Sequence, residues 1–127
     1  MSVHHRIDYF ELPASDLSAA KRFYSAAFDW HFNDYGPGYA GFTYPGADSE
    51  SGGISGDADH TRTPLAILYS TNLELSEEKV RSAGGRIVKP IFSFPGGRRF
   101  HFTDPSGNEL AVWSDKQTEA AKDLPTV

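Results

Sequence analysis

Apolar positions along the chain alternate between two spacings, and the alternation occurs twice. Residues 7–12 mix β-branched, aromatic and aliphatic side chains and stop at Pro13, which predicts a first strand. Ser15 or Asp16 then caps a helix in which Leu17, Ala20, Tyr24, Ala27 and Phe28 recur at helical spacing, with Lys21 and Arg22 on its wet side. Aromatic-rich runs at 30–35 and 39–44, joined by Gly36-Pro37-Gly38, predict a hairpin. A short strand through Gly53-Ile54-Ser55 follows, and the polar stretch 56–63 reads as a linker.

The pattern then begins again. Residues 64–70 form a strand, Asn72 caps, and Leu73, Val80 and Ala83 carry a helix that Gly84-Gly85 ends. Three strands are predicted at 86–89, 98–103 and 108–114, with a loop through 92–99 whose Phe92 and Phe94 serve as cap, core or dimer contact. Arg98 and Arg99 alternate across their strand, so only one of them faces inward. Asp16 and Asn72, Leu17 and Leu73, Tyr24 and Val80, and Ala27 and Ala83 each lie 56 positions apart. That register implies two copies of a βαβββ module, at about 5–56 and 63–115, in a single α+β domain with a polar tail at 116–127. Each helix covers one sheet face, and the other faces curl into a cup.

The chain closes on Asp104-Pro105-Ser106-Gly107-Asn108. Asp104 can bond its own backbone in an Asx-turn, Pro105 presets φ, and Gly107 supplies a positive φ. On the strand that follows, Glu109, Ala111 and Trp113 share one face and Leu110 and Val112 the other.

Composition narrows the function classes. At 127 residues the chain is one domain with room for a true core. A net charge of −5 argues against nucleic acid or an anionic membrane as the main partner. The absence of cysteine excludes disulfides and thiolate chemistry. Residues 1–6 carry charge with no apolar run behind them, and no stretch approaches the roughly 20 apolar residues of a membrane span, so a cytoplasmic protein is expected.

Several local motifs occur in an informative order: Glu11-Leu12-Pro13-Ala14-Ser15-Asp16-Leu17, Lys21-Arg22-Phe23-Tyr24, Ala27-Phe28-Asp29-Trp30, Ala83-Gly84-Gly85, and Phe102 to Asn108. In these the chain resembles the vicinal oxygen chelate superfamily, the glyoxalase, bleomycin-resistance and extradiol-dioxygenase group, over about residues 5–115. The resemblance implies paired βαβββ modules, a metal or ligand in the cup and often a dimer. It does not imply one reaction, because the fold hosts isomerases, dioxygenases, thiol transferases and drug binders.

Metal-using members resembling glyoxalase I place a His or Glu on the first strand of each module and a Glu on the last. Those positions map here to Tyr9 (or Asp8), to Ile54 or Ser55, to Leu65 and to Ala111. Leu65 and Ala111 cannot ligate an ion, so neither metal nor other cofactor is expected. The histidines His4, His5 and His60 read as solvated terminus or loop residues. His101 is either a rim residue or, paired with Glu109 across two strands, half of a relocated metal site completed by Glu11.

Glu11 and Glu109, acids within otherwise apolar strands, are the candidate catalytic residues. A carboxylate in a partly desolvated cup has a raised pKa and can move a proton or hold a cation. The competing readings are an open sheet margin for Glu109 and a pairing with Arg98 or Arg99 for Glu11. Tyr9, Phe42, Tyr69, Phe100 and Trp113 are the candidate ligand-binding residues, suited to flat or cationic molecules through stacking and cation–π contacts. Two function classes follow. One is a metal-free binder of a small molecule, and the other is a lyase, isomerase or dioxygenase type of enzyme using Glu11 and Glu109. A homodimer is expected in either case, because paired curled sheets leave strand edges to cover.

Overall fold

The computed structural model describes residues 2–57 and 62–116. His60, most of the expected linker and the tail beyond Lys116 lie outside the described residues. The elements are β1 (Ile7–Pro13), α1 (Leu17–Phe28), β2 (His31–Asp34), β3 (Tyr39–Thr43), β4 (Gly52–Ser55), β5 (Leu65–Tyr69), α2 (Leu73–Ser82), β6 (Arg86–Phe94), β7 (Gly97–Thr103) and β8 (Glu109–Ser114). This is the mixed α+β, twice-repeated βαβββ order that the 56-residue offset predicts.

The chain divides into two compact units, one of residues 9–66 and one made of the first eight residues together with the chain from Ile67 onward. In the first unit the strands stand in the order β2-β3-β4-β1, and in the second in the order β6-β7-β8-β5. Within each, the first strand of the module pairs parallel with the last, Phe10–Pro13 with Gly52–Ser55 and Ile67–Tyr69 with Ala111–Trp113. All other neighbours are antiparallel.

Helix starts follow their caps. The Asp16 carboxylate accepts from Ala19 N at 3.0 Å and the Asn72 amide oxygen accepts from Leu75 N at 3.0 Å, each satisfying an N-terminal donor the helix cannot satisfy itself. Of the two caps open for α1, Asp16 is the one used. The α2 helix ends where Gly84 takes φ +103° and Gly85 N donates to Val80 O at 2.8 Å.

The core of each unit lies between its helix and its sheet. In the second, Leu73 of α2 meets Phe100 and Val112, with Leu68, Val80, Ile87, Ile91 and Phe102 around them. In the first, Trp30 stacks between Tyr24 of α1 (4.7 Å) and Phe42 of β3 (4.3 Å), beside buried Ala40 and Ile54.

One expected loop is much shorter than its sequence suggests. β6 runs on to Phe94, and only Pro95 and Gly96 turn the chain, since Phe94 already pairs with Gly97. Pro95 cannot donate to a ladder, and Gly96 adopts φ +116°, so the two together make a tight turn rather than a loop. Pro90 is accommodated because β6 stands at the margin of its unit's strand order and its register shifts on both sides of Lys89.

Candidate functional site

In the first unit the helix-free sheet face is set by strand alternation. Glu11 lies opposite Gly53, Gly53 opposite Gly41, and Tyr39 opposite Ser55, so Tyr9, Glu11 and Tyr39 share that face. A Cβ on Gly53 would overlap the Tyr39 ring, and one on Gly41 would overlap the Glu50 carboxylate, so the two glycines make room for these side chains. Glu11 is buried, and Tyr39 Oη donates to its Oε2 at 2.9 Å. Tyr9 Oη lies 3.1 Å from Tyr39 Oη, and Tyr35 Oη donates to Glu50. Burial pushes the Tyr9 phenol up to about 12, while burial and the Glu11 charge push Tyr39 upward as well. Both phenols therefore stay protonated near neutral pH, Tyr39 donating to the Glu11 carboxylate and Tyr9 meeting the Tyr39 hydroxyl.

The second unit builds its helix-free face differently. The hairpin that carries it is held by Asp104, whose carboxylate accepts from Ser106 N (2.9 Å), Asn108 N (2.9 Å) and Asn108 Nδ2 (3.0 Å), with Gly107 at φ +91°. These hydrogen bonds, that from the Asn108 side chain foremost, hold the Asp104 carboxyl below its usual value. The turn sets the register that places Thr103 opposite Glu109 and His101 opposite Ala111.

His101 is fully buried, not a rim residue. Its Nδ1 is 2.9 Å from Glu109 Oε2, and its Nε2 receives the Arg99 Nε–H at 3.1 Å. A guanidinium can only donate, so Nε2 must be bare and Nδ1 must carry the proton it gives to Glu109. Burial, reinforced by the Arg99 charge, pulls the imidazole below its usual pKa despite the opposing bond to Glu109. The Glu109 side chain retains 33 % exposure, so the chain Arg99–His101–Glu109 presents an oriented carboxylate to whatever meets this face. Arg99 also lies 5.7 Å from the Phe92 ring centre and 6.0 Å from that of Phe94.

The remaining candidates divide by face. Tyr69 and Trp113 share the face of Glu109, meet edge to face at 5.1 Å, and are anchored by Tyr69 Oη to Asp115 (2.6 Å) and Trp113 Nε1 to Asp8 (3.1 Å). Phe42 and Phe100 do not belong to these faces. Phe42 lies opposite Gly52 and stacks on Trp30 towards α1, and Phe100 lies opposite Val112 in the core beneath α2. These two candidate ligand-binding residues are core residues instead, because an aromatic side chain suits a core as well as a cup.

Of the arginine pair, Arg98 points to the helix side and grips Glu74 of α2 at 2.6 and 3.2 Å, and its hydrogen bonds hold the Glu74 carboxyl below its usual range. His4 and His5 are exposed yet tied down, His4 Nδ1 accepting from Thr71 N at 3.0 Å and His5 Nε2 lying 2.9 Å from Ser76 Oγ. Sequence reasoning missed Tyr39, Glu50 and Arg99 as site residues. The signal for Tyr39 was in its own strand: Ala40 and Phe42 form the apolar alternation, leaving Tyr39 and Gly41 to the other face.

The ion-binding positions of metal-using members do not fit a metal here. Leu65 and Ala111 are buried hydrocarbon, and the two remaining positions offer at most Tyr9, a protonated phenol, or Asp8, which accepts from Trp113 Nε1, together with Ile54 or the Ser55 hydroxyl, too few lone pairs to replace the two lost ligands. Among the described residues no three His, Cys, Asp or Glu side chains come together.

Two βαβββ units with polar groups on their helix-free faces define the class, and the whole-chain comparison agrees: residues 6–112 match the Glyoxalase/Bleomycin resistance protein/Dioxygenase superfamily, to which this chain belongs. It is 26 % identical over 120 residues to a putative glyoxylase, CFP32, of Mycobacterium bovis, covering 84 % of this chain and 44 % of that protein. It is 28 % identical over 124 residues to a glyoxylase-like domain-containing protein of Didymella fabae, covering 88 % and 95 %. The chain thus spans less than half the length of the mycobacterial relative. The crystal structure of the Mn(II)-bound glyoxalase from Novosphingobium aromaticivorans superposes with a TM-score of 0.66 at 21 % identity, over 92 % of this chain and 41 % of that one. Among the described residues no helix is long and apolar enough to cross a membrane.

Proposed function

We propose that this protein is a metal-independent member of the superfamily that binds a flat or cationic small molecule on its helix-free faces. Tyr9, Tyr39 and Glu11 in the first unit, and Tyr69, Glu109 and Trp113 in the second, are the residues offered to that ligand. The observation that carries this reading is the hydrocarbon at Leu65 and Ala111, where ion-binding members need lone pairs. A missing ligand atom removes a coordination bond that surrounding contacts do not replace. Protonated phenols and carboxylates on one face favour a cation or a hydrogen-bonding aromatic. The same reading makes the protein cytoplasmic and a homodimer, association covering exposed strand edges.

A second reading, an enzyme of lyase, isomerase or dioxygenase type using Glu11 and Glu109, is favoured by the oriented, partly exposed Glu109 carboxylate with a neutral imidazole behind it. Thermal melting of untagged protein with Zn, Ni, Mn or Fe in many-fold excess separates metal-free from metal-dependent action. A site present only in the native state must raise the midpoint. The expected result is no saturable rise with any of the four ions, together with a small molecule retained in native mass spectrometry. A saturable rise abolished by Glu11→Ala or Glu109→Ala overturns the metal-free reading.

A further inference from the structure

The helix-covered side of the second unit carries an opening unrelated to the polar face of His101 and Glu109. Where α2 crosses the sheet, a groove of about 370 Å³ remains, floored by Leu68, Val80, Phe102 and Val112. Leu68, Val80 and Phe102 belong to the apolar cluster of this unit but are only partly buried, so the chain leaves part of its own core surface uncovered. The volume falls in the range of about 300–1,000 Å³ typical of small-molecule sites.

The mouth of the groove is polar and built. His5, Ser76 and Lys79 line it. The N-terminal arm is pinned along β5 by His5 N donating to Tyr69 O at 2.6 Å, and His5 takes φ +63°, a left-handed conformation that a residue with a Cβ seldom adopts. This backbone turn sends its imidazole to Ser76 Oγ, which in turn meets Ser70 Oγ at 2.7 Å. Lys79 is exposed, and no ion pair neutralises it among the described residues. Its charge also acts on His5, whose imidazole is lowered chiefly by burial, then by His4 and by Lys79.

We propose that this groove is a second binding site, selective for a small amphipathic carboxylate. The hydrocarbon chain of such a ligand lies on Leu68, Phe102 and Val112, and its head sits beside Lys79 and His5. One ammonium and one neutral imidazole suit a monoanion, whereas a phosphate dianion would call for the forked donors of an arginine, which this mouth lacks.

Octanoate is the probe, with octan-1-ol and octylammonium as controls, titrated into the full chain and followed by amide chemical shifts and calorimetry. Octanoate should bind saturably and shift the amides of Val80, Phe102 and Val112, more tightly than the alcohol, while octylammonium does not bind. Lys79→Ala should weaken octanoate by about fivefold, the upper range for a solvent-exposed ion pair. Val80→Trp fills the groove and should abolish binding, and Ala83→Trp, at an exposed helix end that tolerates the bulk, should do so without touching the core. The proposal is overturned by any of three results: no saturable shift, octylammonium or octan-1-ol binding as well as octanoate, or binding unchanged in folded Ala83→Trp.

Discussion

In the first unit the buried acid of the helix-free face, Glu11, is held by a phenol that a second phenol touches; in the second, Glu109 is held by an imidazole that a guanidinium holds in turn. The strand order is the same in both units, and each helix starts on a side-chain cap, Asp16 in one and Asn72 in the other. Repetition of a topology has therefore not repeated its chemistry. A phenol with a raised pKa keeps one protonation state from acid to mildly alkaline pH, whereas an imidazole with a lowered pKa stays neutral until the solution is acidified. The phenol that donates to Glu11 is therefore insensitive to pH in this range, and the imidazole that donates to Glu109 is not. The helices differ in the same way: α2 buries Leu73 and Ser76, whereas no residue of α1 is fully buried and Phe23 and Phe28 are more than half exposed.

The largest effect should come from the helices. Leu73→Ala removes a fully buried side chain from the α2 core and should cost about 2–5 kcal/mol in urea unfolding, within the range for large-to-small core changes. Its counterpart 56 positions earlier, Leu17→Ala, is only half-buried and should cost about 1 kcal/mol, from the smaller apolar area it covers. Equal losses would erase the contrast between the two helices.

Next come the polar faces. Tyr39→Phe removes the phenol that donates to buried Glu11 and should cost about 1–3 kcal/mol, the range for deleting a hydrogen bond to a charged, buried acceptor. The phenol that makes this bond stays protonated from pH 5 to pH 8. His101 behaves otherwise. Its folded pKa lies below the unfolded value of about 6.5, so the folded state takes up its proton less readily than the unfolded chain. Its contribution is therefore present above that value and is lost as pH falls from there towards the folded pKa. The melting midpoint should drop between pH 7 and pH 5, and His101→Gln should flatten part of the drop. His5, also lowered, is the control, and His5→Gln should remove a smaller share. A slope unchanged in His101→Gln would show that this imidazole does not carry the pH dependence of the second face.

The smallest effect tests the symmetry itself. Asp16→Ala and Asn72→Ala each delete one side-chain bond to a helix N-terminus and should cost about 1 kcal/mol apiece. Costs that differ severalfold would mean that the two caps, though 56 positions apart, do not do equivalent work.

Much of this architecture was legible in the chain. Caps, turns and helix ends are local: Asp16, Asn72, Asp104 and Gly84 act on backbone within a few residues, so their roles follow from type and spacing. The alternation that put Glu11 with Tyr9, and Glu109 with Trp113, is equally local. The turn at Pro95-Gly96 is not legible in the same way, because Gly, Pro and Phe in one run fit a long loop and a two-residue turn alike, and pairing with β7 decides between them. The site residues were harder. Phe42 and Phe100 needed a register, and the register of β7 depends on the Asp104 turn and the Thr103–Glu109 pairing it creates.

The sequence alone determined the βαβββ repeat, the Asn72 cap and the absence of ligand atoms at Leu65 and Ala111, because each depends only on residue identity at a given spacing. The tertiary structure decided which aromatics face a helix, that His101 is buried and neutral between Arg99 and Glu109, and that Tyr39 reaches Glu11. Those outcomes depend on which strand lies beside which and in what register, and a shift of one residue reverses every side chain on the strand.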